Sequence, residues 1–455
     1  MRMPALFLIV IAWHSDVHAR PDADKHQDCL NKPHQAQTFL SDNKKSAYHW
    51  LENKQRNIYG EDAKPLTLEE LVSNLEKRPA RMDRGDVRGM LCKTAGDIVL
   101  PTRYESIGPY LSLKRASDLI RAGLTKNGDV APDVLLGTLP IRETNAETHK
   151  RGKEYVILTN HQILNTIYSL TLIANRTAFF TPAEETGAIA AISANSETVK
   201  SRLEKNPGLL TSYHESIVAF ANKKPHPILE TTDILETFIL STQIDGMHRF
   251  IVGHEYAHIL LNHVSRTKRN FDIPTAKGGS ESISMLGYDW SQEIAADLTS
   301  LSLMQLSAME EREQNDELAL FSHALFTYSA VLYLVLTDAL SSEVNRCTTG
   351  KTGSYSSTPE ALRKSIVDDV MDQLSRRNSL KLSEQHATAL ACRGSSSHPP
   401  QWLRAEVLIQ TIDQAFEEGG VSEALEVKIA RSIIVNAYEL ERLRLEAVQE
   451  AGASL

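Results

Sequence analysis

The chain has 455 residues, 42% hydrophobic and 24% charged, with 49 Lys and Arg against 58 Asp and Glu for a net charge of −9. That composition is close to the globular average and excludes collagen-like, disordered and disulfide-dense miniprotein classes, while the length is ample for a sizeable core and two or three domains. A mildly acidic chain with no basic run is a poor candidate for binding nucleic acid or an anionic membrane surface, so neither partner is expected.

Met1–Ala19 places Arg2 ahead of an apolar run, Ala5–Trp13, and ends on Val17-His18-Ala19, which has tolerated residues at the −3 and −1 positions of a cleavage site. This layout predicts a secretory signal peptide over 1–19, cleaved near Ala19, and hence a periplasmic or secreted protein. The apolar run is too short to span a bilayer; a buried N-terminal helix is the alternative. Cys29, Cys92, Cys347 and Cys392 are even in number, as an oxidising compartment requires, and Cys29–Cys92 with Cys347–Cys392 keeps each pair within one half of the chain. Reduced structural thiols are the other option. No C-x-x-C is present, so a thiolate metal site is not indicated.

Residues 20–130 read as a polar, mostly helical N-terminal region with helical patches such as Leu66–Glu76, and 131–455 as a second domain. Val134–Arg142 and Glu154–Thr159 look like two strands around a polar connection, Glu143–Lys153. His161–Asn175 carries Ile163, Ile167, Leu170 and Ile173 at helical spacing, and helical patterns dominate from there to the C-terminus.

Ile251–Leu261 contains His254-Glu255-Tyr256-Ala257-His258, an H-E-x-x-H pattern on a predicted helix over 246–264. Residues four apart on a helix stand one above the other, so two imidazoles can reach one ion at Zn–N distances of about 2.0–2.1 Å. Glu255 is turned away from ligation yet reaches a water there, the position of a general base. Met247, Ile251, His254, His258 and Leu261 share one face, so two histidines interrupt an otherwise apolar stripe. By chance the pattern arises in roughly one chain in 25 with this His content, so it needs a second signal.

A predicted helix over 290–307 supplies that signal. Glu293 and Asp297 lie one turn apart and form the only E-x-x-x-D downstream of His258. Glu293 completes a His₂Glu set for one zinc ion per chain. Asp297 is placed to accept the outer ring N–H of a ligand histidine, best His254, while small Ala296 lets the two helices approach. A histidine third ligand would need Gly and His where Leu261 and Val264 stand; His263 is one residue early and is expected to end the helix against its C-terminal dipole. Thr267–Ser284 reads as a polar loop between the ligand helices, long enough to act as a lid. Leu318–Leu340 is largely apolar but interrupted by Ser322, His323, Thr327, Tyr328, Ser329, Thr337 and Asp338, which favours a buried core helix over a membrane span. Cys347–Thr358 reads as a further Ser/Gly/Lys-rich loop.

GHEYAHILLNHV followed by SQEIAADLTSL resembles the gluzincin metallopeptidases, most closely the group of heat-shock membrane proteases and CAAX prenyl proteases. Ser397-His398-Pro399-Pro400-Gln401-Trp402-Leu403-Arg404 is similar to the S-H-P-P-x-x-x-R segment of that group. The resemblance spans about residues 150–410. It implies an α+β, predominantly helical fold with a zincin-type helical core and a small antiparallel sheet, ligation by His254, His258 and Glu293, and catalysis by Glu255. It further implies that His398 and Arg404 return near the site, where they are the best oxyanion donors, ahead of Tyr288 and Tyr355. The multiple membrane spans of those proteases are missing from this sequence, so prenylated or integral membrane substrates do not carry over. The expectation is an exported zinc endopeptidase acting on polypeptides, with Glu154–Thr159 as the edge strand that pairs with the substrate. A zinc-braced binding or chaperone-like protein and a non-proteolytic zinc amidase are the alternatives.

Overall fold

The computed structural model describes residues 46–59, 100–102, 104–139, 146–179, 196–224, 229, 234–265, 270–274, 280–284, 288–309, 319–344, 360–375 and 399–453. The signal sequence expected over 1–19, the Leu66–Glu76 patch, all four cysteines, the Cys347–Thr358 loop, Tyr355, His398 and the side chain of Tyr288 lie outside the described residues. The order of elements is α1 (Ser46–Tyr59), α2 (Ile107–Lys126), β1 (Val134–Leu139), β2 (Ala146–Arg151), β3 (Glu154–Asn160), α3 (His161–Phe179), α4 (Ser196–Lys205), α5 (Pro207–Ala221), α6 (Ile234–Leu260), β4 (Asn270–Pro274), β5 (Ser280–Ser284), α7 (Tyr288–Met309), α8 (Ala319–Val344), α9 (Glu360–Ser375), α10 (Gln401–Glu418) and α11 (Leu425–Ala453). The fold is mostly helical with a small three-stranded sheet, an α+β arrangement.

That sheet is mixed rather than antiparallel. β1 and β3 run parallel, with Val134 opposite Tyr155 and Leu139 opposite Asn160. β2, which the sequence hides inside a polar connection, pairs antiparallel with β3 from Ala146–Thr159 to Arg151–Glu154. Gly152 and Lys153 close the hairpin, and Gly152 sits at φ +64°, a left-handed conformation that glycine adopts without steric cost. The spatial order β1-β3-β2 makes β3 the central strand, so Glu154–Thr159 is not an edge. Among the described residues the outer strand in contact with the HExxH helix is β2. Part of Thr267–Ser284 is likewise not loop: β4 and β5 form an antiparallel ribbon, with Phe271 opposite Ile283.

α6 is the axis of the molecule. It begins twelve residues before the expected start at 246, because Ile239, Leu240 and Ile244 extend its buried surface N-terminally. One apolar cluster joins it to α2 (Leu113, Ile120), α3 (Ile163, Ile167), α7 (Leu303, Met304), α8 (Leu332, Leu336) and α11 (Ile433, Leu440). Each such fully buried aliphatic side chain contributes about 1.5–3 kcal/mol. α2, which falls within the sequence-defined N-terminal region, therefore shares the core of the rest. It is also pinned to α6 by the Ser112 Oγ–His248 Nδ1 contact at 2.6 Å and the Ser117 Oγ–Tyr256 hydroxyl contact at 2.8 Å.

A second cluster, Trp290 and Ile294 on α7, Ile366, Val367 and Val370 on α9, and Trp402, Leu403 and Val407 on α10, locks the start of α7 to the start of α10. α8 is long and apolar enough to cross a membrane by composition, and 72% of its most apolar 18-residue window is buried inside this fold. Its polar interruptions find partners within the fold: Thr327 accepts from Gln305, Tyr328 donates to Asp413, and Asp338 accepts the Trp402 N–H at the start of α10. These contacts are those of a core helix.

His248 is buried at the α2–α6 contact, and burial lowers its pKa from 6.5 to about 4. His161, buried at the start of α3, is lowered to about 4 for the same reason. A histidine held neutral stabilises the fold above its unfolded pKa and loses that contribution as pH falls through the folded one. Between pH 6.5 and 4 each should cost up to about 3 kcal/mol of unfolding free energy. With chelator present, His248→Gln should flatten the decline in urea-unfolding free energy across this window; an unchanged slope would mean that His248 does not titrate there.

Candidate metal centre

His254 and His258 project from successive turns of α6, with ring centroids 4.7 Å apart. Their Nε2 atoms are 3.0 Å from each other. Glu293, on α7, places Oε2 at 3.2 Å from His254 Nε2 and Oε1 at 3.4 Å from His258 Nε2. Donors held at about 2.0–2.1 Å by a tetrahedral ion lie about 3.3 Å apart, so the three separations match one coordination sphere with a fourth position left over. His254 and Glu293 are buried and His258 is half-buried. Two imidazole nitrogens and a carboxylate meeting at this range call for positive charge between them, from a proton or from a cation. The group can hold a metal ion.

The helices approach closely enough for this because of small residues. A Cβ on Gly253 would lie 2.7 Å from Ser300 Oγ, and Ser300 itself donates to the Phe250 carbonyl at 2.8 Å. Buried Ala296 completes the contact face of α7.

Both histidines are backed by a second side chain. His254 Nδ1 lies 2.8 Å from Asp297 Oδ1, which assigns the proton to Nδ1 and the lone pair to Nε2. Asp297 is in turn gripped by Arg404, whose Nε donates to Oδ2 at 2.7 Å and whose Nη2 donates to Oδ1 at 2.6 Å. Arg404 Nη1 donates to Gln401 Oε1 at 3.2 Å. Arg404 thus returns to the site, but on the Asp297 side of the His254 ring, opposite Nε2. A guanidinium this buried takes the nearest carboxylate as counter-charge, and its Nε and Nη2 donors go to Asp297.

Burial would raise the Asp297 carboxyl, but the charge and hydrogen bonds of Arg404 outweigh it and hold the pKa below the ordinary value. Burial likewise pushes His254 down, and the hydrogen bonds to Asp297 and Glu293 override it, raising the imidazole to about 9. The surroundings favour positive charge at this point, whether a proton or a metal supplies it.

His258 is backed by His263, Nδ1 to Nδ1 at 2.9 Å. His263 does not cap α6. The helix stops at Leu260, Asn262 takes a left-handed φ of +57°, and the following 3₁₀ turn (His263–Ser265) swings His263 back onto His258. Glu255 is buried, and its Oε2 accepts from Thr148 Oγ1 on β2 at 2.5 Å.

Sequence reading passed over Thr148 and Tyr333. Tyr333 lies on α8 with its ring edge-on to Phe250, which in turn neighbours the His254 ring. Burial first, then the charges of Glu255 and Asp297, raise its pKa, so the hydroxyl stays protonated. A tyrosine in a Leu/Val run was the available signal for it. For Thr148 there was none, since β2 is polar on both faces. Of the expected site residues the structure brings together His254, Glu255, His258, Glu293, Asp297 and Arg404.

Asp297→Asn keeps the shape of the side chain but removes the charge between Arg404 and His254. Metal affinity should fall about 10–100-fold, as for other residues that orient ligands without touching the ion. Competition against a chromophoric chelator measures this, and unchanged affinity would show that the carboxylate does not tune His254.

Comparison of the chain with protein-family models, with curated proteins and with solved structures finds no match.

Proposed function

We propose that the chain is a zinc-dependent endopeptidase of the gluzincin type, exported under its N-terminal signal and acting on polypeptides. The observation that carries it is the approach of His254 Nε2, His258 Nε2 and the Glu293 carboxylate to within 3.0–3.4 Å of one another. A His₂Glu set with one open position is a catalytic zinc arrangement, whereas structural zinc sites are closed by four protein ligands. The resemblance of GHEYAHILLNHV and SQEIAADLTSL to the gluzincins favours the same reading.

Zinc held there would polarise the scissile carbonyl and acidify an attacking water. The remaining work belongs to the chain. Glu255 takes the proton of the attacking water and delivers it to the leaving amine as the peptide bond breaks. Asp297, backed by Arg404, keeps His254 in the tautomer that presents Nε2. The substrate lies extended along the outer edge of β2, where strand addition binds a peptide through its backbone and tolerates many side chains. β2 pairs only with β3 among the described residues and packs beside α6, which favours it over β3 as the docking strand.

Purified mature protein should contain about one zinc per chain and cleave an unfolded protein in a chelator-sensitive manner. Glu255→Gln should retain zinc and lose about 10²–10⁴-fold in turnover. Glu293→Ala should lose both. Retained cleavage in the first variant would remove Glu255 from its role, and stoichiometric zinc in the second would point to another third ligand.

A further inference from the structure

We infer that Thr148 is a positioning residue for the general base, and that β2 carries it there. This rests on the hydrolase reading above. A glutamate acting as general base must hold one carboxylate oxygen toward the water it deprotonates, and a free side chain samples several rotamers. Thr148 has one hydroxyl proton. The nearer acceptor is Glu255 Oε2 at 2.5 Å, with the Glu255 carbonyl more distant at 3.3 Å. Fixing Oε2 leaves Oε1 for the proton transfer, so the hydroxyl selects which oxygen reacts.

The strand is braced to deliver that hydroxyl. Side chains alternate across a strand, so Thr148 points away from the face that bears Glu147, His149 and Arg151. That face is held by α1. Lys54 Nζ donates to Glu147 Oε2 at 3.0 Å, the His149 ring lies 5.0 Å from Trp50, and the Arg151 guanidinium stacks over Trp50 at 4.0 Å. β2 is therefore gripped on one face by α1 and tied through the other to α6. The strand that offers its edge to a peptide also sets the base that cleaves it.

Thr148→Val conserves shape and strand preference but removes the donor. On a peptide substrate kcat should fall about 10–100-fold, the scale of one hydrogen bond to a charged group, with KM and zinc content unchanged. Thr148→Ser restores a hydroxyl and should recover most of the loss. A readout independent of turnover is the thermal midpoint of chelator-treated protein. There Thr148→Val should be destabilising in the native background and neutral in a Glu255→Met background.

Wild-type kcat in Thr148→Val, equal loss in Thr148→Ser and Thr148→Val, or additive effects on the midpoint would each overturn the inference. If the wild-type protein cleaves nothing, the hydrolase reading fails. The midpoint cycle still decides separately whether Thr148 holds Glu255.

Discussion

Asp297 and Arg404 are 1% and 5% exposed, and removing either charge from water alone would cost several kcal/mol. They are brought together from positions 107 residues apart, α7 to α10, in a two-pronged pairing. Pairing offsets the desolvation only while the geometry holds, so the pair acts as a constraint on both helices. One oxygen of Asp297 also accepts from His254, which turns that ring and aims Nε2 forward. Glu293 stands one turn before Asp297 on the same helix, so its approach is set with it. His258 follows from His254 by the pitch of α6. The convergence of three donors thus rests on one internal ion pair behind the His254 ring.

Much of the centre was legible because it is local. The spacing of His254 and His258 and that of Glu293 and Asp297 are properties of single helices, and a helix fixes which residues share a face. Pairing of Asp297 with His254 followed from the habit of ligand histidines to donate their outer N–H to a carboxylate. The polar residues that interrupt α8 were readable in the sequence, and Thr327, Tyr328 and Asp338 meet partners on neighbouring helices.

What escaped was decided by contacts between distant segments. β2 shows no alternation of apolar and polar residues because both of its faces meet partners that suit polar side chains, the Trp50 ring and Lys54 on one side and Glu255 on the other. Missing it made the sheet antiparallel and left β3 at its edge; inserting a hairpin strand beside β3 puts β1 on the other flank, parallel. Arg404 was expected to return near the site and does, but its pairing with Asp297 joins α7 to α10 and is not visible in either segment alone. His263 was assigned to the helix dipole, and the left-handed turn at Asn262 redirects it.

Gly253 and Ser300 meet where α6 packs against α7, with space for a hydroxyl on one side and nothing on the other. The volume at that crossing is shared, so the two positions are not free to drift separately. A bulkier residue at either one is tolerable only with a compensating reduction opposite, and where none is available the helices must spread. Among descendants of this sequence, the histidine pair would then persist as a pattern in the chain after its carboxylate partner had moved out of reach.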